Sequence, residues 1–141
     1  MGQGSAWGMK AVVQEHPMGC GIACVACVSG VSYSDAFKVV LRRSASTRGY
    51  FCRELVQALS RLRFEYDCKK ANAKTRKHIK KEGTIVFIAP SKRYPKGHYL
   101  AKTKKGWMNP WVNFPCIVPA KAGFNKKLPG KALWVIFESK N

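Results

Sequence analysis

Acidic residues are scarce in this chain: 7 Asp and Glu stand against 26 Lys and Arg in 141 residues, a formal charge of +19. A balance so one-sided speaks of partners more than of fold, and the candidates are nucleic acid, an anionic surface or an acidic peptide. No apolar run approaches the ~20 residues that cross a bilayer. The N-terminus has no apolar segment of the kind a secretory signal needs. There is no internal repeat, no Ser/Gly-rich linker, and no aromatic RNA-binding motif beside the basic stretches 69–81, 92–105 and 121–131. These absences argue against a spanning, repeat or RNA-module protein. The expectation is a single cytoplasmic domain.

Apolar residues are plentiful at 46%, enough for a core. Residues 84–89 and 132–137 lack any charge, so disorder is expected only at the ends. Residues 1–8, Met-Gly-Gln-Gly-Ser-Ala-Trp-Gly, read as a tag or a disordered end, and residues 9–141 as one domain. Cysteines stand at 20, 24, 27, 52, 68 and 116. The count is even, but without a secretory signal, and with three of them in one predicted helix, reduced thiols are the better reading.

Residues 10–14 read as extended. From Gly19 to Ser34 no residue is charged, and a helix that is apolar all round is a buried one. The pattern predicts that helix over 21–29, closed by Gly30. Ser34 is a candidate cap for a second helix carrying Phe37, Val40 and Leu41 on one face. Leu55, Ala58, Leu59 and Leu62 give a third helix over 52–62. Phe64, Tyr66 and Cys68 alternate as a strand does. A short basic helix at 74–81 leads into a strand at 84–89. Residues 90–97 read as a loop, 98–102 and 107–111 as a hairpin turning at 103–106, and 132–138 as the last strand. Helices first and close-spaced strands later make an α+β pattern.

Nucleophilic chemistry needs a thiolate, and a helix N-terminus, a nearby imidazolium or a polar cleft lowers a thiol's pKa. Cys20, between Gly19 and Gly21 at the start of the buried helix, meets the first condition. Cys24 and Cys27 read as core thiols. Of the three histidines, His16 has no orienting group beside it in sequence, and His78 lies in a basic surface helix. His98 opens a strand, and Asn109 follows eleven residues later across the predicted hairpin. Two strands of a hairpin can set the two side by side, so that an Asn oxygen fixes the imidazole. Cysteine, histidine and asparagine form a nucleophile, base and orienter set. The backbone N–H of Cys20, or the amide of Gln14, is a candidate oxyanion donor.

The run Gln14-Glu15-His16-Pro17-Met18-Gly19-Cys20-Gly21-Ile22-Ala23-Cys24, with Gly97-His98-Tyr99-Leu100 and Asn109-Pro110, resembles the C39 peptidase family. These are bacterial, bacteriocin-processing domains with a papain-like fold. The resemblance covers residues 11 to about 138. It implies N-terminal helices, with the nucleophile helix packed on an antiparallel sheet. It also implies Cys20 as nucleophile, His98 as base, Asn109 as orienter and Gln14 as oxyanion donor. The implied substrate is a peptide or protein cleaved after a small-residue pair of the Gly-Gly type. Gly19 stands where that family usually has Asp, and Asn109 where it has Asp.

Two other readings compete. Cys20, Cys24 and Cys27 have the spacing of an iron–sulfur motif of radical enzymes that use S-adenosylmethionine, and with His16 they would make a zinc set. Their place in an apolar helix argues against both, so no metal and no cofactor is expected. The other rival keeps the fold without the activity, as a binding module whose basic surface holds an acidic peptide, nucleic acid or cell-wall polymer.

Overall fold

A computed structural model describes residues 9–139. The expectation for residues 1–8 lies outside them. Helix α1 spans Cys20–Ser29, and every residue after Cys20 in it is buried. The helix is apolar all round because protein surrounds it on all sides. Gly30, at φ 74°, ends it and returns its N–H to Ala26 O, the left-handed cap that glycine adopts without strain. Helix α2 spans Tyr33–Phe37. A 3₁₀ turn covers Arg42–Ser46, and α3 covers Cys52–Arg61. At the start of α3 the Glu54 side chain accepts the Phe51 N–H at 2.8 Å and holds Arg48. Helix α4 is a single turn, Arg76–Ile79.

Six strands form one sheet: β1 Tyr66–Lys70, β2 Ile85–Ile88, β3 His98–Thr103, β4 Gly106–Asn109, β5 Gly123–Asn125 and β6 Ala132–Glu138. Their order is β1-β6-β2-β3-β4-β5, antiparallel throughout. The α+β expectation therefore holds, with the Cys20 helix packed on an antiparallel sheet. Side chains alternate across the sheet. Ile85, Tyr99, Ala101, Met108 and Ile136 join α1 and α3 in the larger core. Val86, Ile88, Leu100 and Trp107 build a second apolar layer with Tyr94 on the opposite face.

Several expectations needed correction. The cap of α2 is Ser32, whose Oγ accepts the Asp35 N–H at 3.0 Å, not Ser34. Tyr33 is buried and so belongs inside the helix. Val40 and Leu41 leave the helix altogether, and Leu41 is half exposed. Residues 10–14 lie outside any helix or strand, and the three-residue β5 was not foreseen.

Two glycines set the frame of the site. A Cβ on Gly21 would lie 2.9 Å from Leu55 Cδ1 and 3.3 Å from a Tyr99 ring carbon, so its absence lets α1 lie close against α3 and β3. Gly97 has φ +79°, and a Cβ there would meet Phe87 Cζ at 2.3 Å and Ile88 O at 2.8 Å. Gly97→Ala combines a left-handed backbone with an overlap, and is expected to lower stability by about 2 kcal/mol or more. Urea unfolding of the variant measures this; a loss below about 0.5 kcal/mol would contradict the packing described here.

Candidate active site

Asn109 ends β4, one step past the paired residues Ala101 and Met108, so it stands beside Leu100 on the face that also carries His98. It is fully buried and makes four hydrogen bonds. Its Oδ1 accepts from the Trp111 backbone N–H at 3.0 Å and lies 2.8 Å from His98 Nε2. Its Nδ2 donates to the Tyr94 hydroxyl at 2.9 Å and to Asn125 Oδ1 at 2.8 Å. A peptide N–H can bond only to an acceptor, so the Trp111 contact identifies the atom facing His98 as oxygen. His98 Nε2 must then carry its proton, which leaves the lone pair on Nδ1. The Tyr94 ring lies flat on the imidazole, with centroids 4.2 Å apart and planes 5° apart. Stacking fixes the plane of the ring and Asn109 fixes its tautomer.

Cys20 begins α1 after Gly19, which offers no side-chain cap. Backbone N–H groups of Tyr99, Gly21 and Cys20 itself point at the thiol and pull its pKa down. Burial outweighs them and pushes it up to about 11. The lowering expected from a helix N-terminus is present but is not the larger effect. Burial likewise pushes His98 down to about 4, against the Asn109 hydrogen bond that raises it, while the Arg93 charge lowers it further. At neutral pH both groups are therefore uncharged.

The structure brings His98 and Asn109 together directly. Cys20 meets them through the backbone: its sulfur takes the N–H of Tyr99, the residue after His98. Tyr99 packs with α1, while His98 packs on Tyr94 in the second layer. Thiol and imidazole thus both reach the first residues of β3, and no hydrogen bond joins them. Gln14 is buried and bridges the two halves. Its backbone N–H donates to Pro110 O at 3.3 Å, and its Nε2 donates to His16 O at 3.0 Å and Pro17 O at 3.1 Å. Both amide protons hold the loop that leads into Cys20, and Oε1 is buried without a partner.

Sequence reasoning missed the partners of His16 and the setting of His78. His16 Nδ1 lies 2.8 Å from the Tyr33 hydroxyl, and its ring stacks on Phe37 at 4.6 Å. The Tyr33 hydroxyl also fills the space a Cβ on Gly19 would need, at 2.1 Å, which explains glycine before the cysteine. His78 is half-buried with its ring 3.8 Å from Phe137. Among the described residues no three His, Cys, Asp or Glu side chains are placed to hold a metal, and Cys24 and Cys27 are core residues. A cleft of about 590 Å³ opens beside Cys20, walled by Phe51, Phe87, Tyr99 and Trp134, with Arg48 and Lys96 at its margin. Arg48 lies over the Phe51 ring at 4.4 Å, which holds this wall upright.

No family model matches the chain, and none of the curated proteins does. Among solved structures it is similar to the peptidase domain of Streptococcus ComA, a bi-functional ABC transporter involved in a quorum sensing pathway. The TM-score is 0.58 at 18% identity, over 93% of this chain and 99% of that one. The likeness extends over the whole papain-like domain, and at this identity it is a likeness of fold.

Replacing Asn109 tests the network. Asn109→Asp puts a charge beside Nε2 and should raise the His98 pKa from about 4 by roughly one to three units. It also removes the donor that Asn125 Oδ1 uses. An NMR titration of the His98 ring in both proteins reads the shift; an unmoved pKa would mean that the 2.8 Å contact does not govern the ring. The buried imidazole resists a proton that the unfolded chain accepts near the ordinary 6.5. Stability should accordingly fall as pH drops from about 6.5 to about 4, with no further loss from this group below that.

Proposed function

We propose that this chain is a cysteine peptidase-like hydrolase, with Cys20 as nucleophile, His98 as base and Asn109 as orienter. The observation that carries the reading is the His98–Asn109 pair, whose tautomer leaves Nδ1 free to accept a proton at the strand end where the Cys20 helix begins. In this reading the Cys20 sulfur attacks a peptide carbonyl as its proton passes to His98 Nδ1. His98 returns that proton to the leaving amine, and water then hydrolyses the thioester with His98 again as base. The uncapped N–H groups at the start of α1 face the developing oxyanion. Gln14 would contribute only by releasing one of the loop carbonyls it now holds. The cleft beside Cys20 takes the peptide, and a small-residue pair at the scissile bond is the substrate that the family resemblance implies.

One observation favours a second reading. A thiol pushed up to about 11 and an imidazole pushed down to about 4, without a hydrogen bond between them, also suit a domain that holds a peptide and does not cut it.

A peptidyl vinyl sulfone separates the two. The hydrolase reading expects selective labelling of Cys20 over Cys52 and Cys116. His98→Ala should slow it at least tenfold, about 1.4 kcal/mol in the barrier. The acid limb of the rate should lie near 4, below an ordinary imidazole. Equal labelling of the three thiols, or a rate indifferent to His98, would leave the binding module as the function.

A further inference from the structure

Between Glu82 and Glu138 the chain carries ten Lys and Arg and no acidic residue. Within this cationic half, the segment after β4 presents five consecutive exposed apolar residues, Pro115, Cys116, Ile117, Val118 and Pro119. Ile117 is 70% and Val118 90% exposed. Long apolar side chains held so far out of the core mark a contact surface more often than an accident of packing when they stand together.

The loop is braced rather than slack. Trp111 Nε1 donates to Cys116 O at 2.8 Å, and Asn113 Nδ2 to Pro119 O at 3.1 Å. The Cys116 N–H returns to Asn113 O at 2.9 Å, and the Lys121 N–H to Asn113 Oδ1 at 2.8 Å. Its foot is cationic: Lys121 closes the loop, and Arg93 Nη2 donates to Val112 O at 3.0 Å.

We propose that this loop is a membrane-contact tip, which places Ile117 and Val118 among the acyl chains of an anionic bilayer while Lys121 and Arg93 at its foot meet the phosphates. An anionic bilayer supplies both requirements in one plane, a phosphate layer above an apolar one. A nucleic acid would satisfy Lys121 and Arg93 but gives two branched aliphatic side chains no partner. The proposal is independent of the thiol chemistry. It does join the two regions, because Trp111, which anchors the tip, is the residue whose N–H fixes the Asn109 oxygen.

Sedimentation with phosphatidylcholine vesicles, with and without about one third phosphatidylglycerol, tests this at about 0.1 M salt. The chain should bind the anionic vesicles, and Ile117→Ser/Val118→Ser should weaken that binding at least about tenfold with an unchanged unfolding midpoint. In a separate Val118→Trp protein, the indole emission should shift to the blue on anionic vesicles and be quenched by lipids brominated on the acyl chain. The proposal fails if anionic vesicles are not bound or if the double variant binds them as tightly as the parent. It also fails if the Val118→Trp indole is not quenched. Loss of self-association alone in the double variant would assign the tip to a second copy of the chain and overturn the lipid reading.

Discussion

Asn109 Oδ1 takes two protons at once, one from a peptide N–H that cannot move and one from an imidazole that could otherwise choose its tautomer. The orientation and the tautomer of the His98 ring follow from that shared oxygen. Because Trp111 N–H is a donor only, the oxygen cannot be exchanged for the amide nitrogen, and the His98 lone pair is directed to Nδ1. The amide nitrogen is committed as well, to Tyr94 and Asn125. A carboxylate would satisfy the first side of this arrangement but not the second, since Asn125 Oδ1 needs a donor. That is a local reason for asparagine at this position. Tyr94 is bound twice, as the hydroxyl that receives Nδ2 and as the ring that lies on the imidazole.

Burial gives the network its firmness and sets its electrostatics. His98 and Asn109 are almost wholly enclosed, so the ring is well positioned but resists a proton. Cys20 is surrounded closely enough that three N–H groups do not offset the loss of solvent. Thiol and imidazole at this strand end are thus both neutral at rest. For the proposed hydrolase, such a pair implies proton transfer coupled to attack rather than a standing ion pair.

Much of this was legible in the sequence, for identifiable reasons. An uncharged stretch from Gly19 to Ser34 can only be a buried helix with its exit, and α1 fits it to within a residue. The stretch 132–138, uncharged as far as Phe137, became β6 with the bounds read from the pattern. His98 and Asn109 could be paired because a hairpin brings them together with little chain between. What was hidden depends on contacts across distance. Two serines flank Tyr33, and only the burial of that ring decides that Ser32 caps the helix. Tyr33 is also what makes glycine necessary at position 19 and what His16 bonds, and nothing in local spacing announces it. The amide of Gln14 matched a motif, yet the two nearby loop carbonyls that occupy it are a property of the turn. Residues 112–122 have no periodicity to read, because their order comes from side chain to backbone bonds centred on Asn113.

The arrangement at Asn109 makes a definite statement about one proton. Long-range ¹H–¹⁵N NMR of the His98 imidazole near pH 7 reports its position directly. The account predicts a neutral ring protonated at Nε2, with the nitrogen shift of an unprotonated Nδ1. A ring protonated at Nδ1, or one averaging between the two tautomers, would contradict it and remove the acceptor on which the proposed hydrolase reading depends.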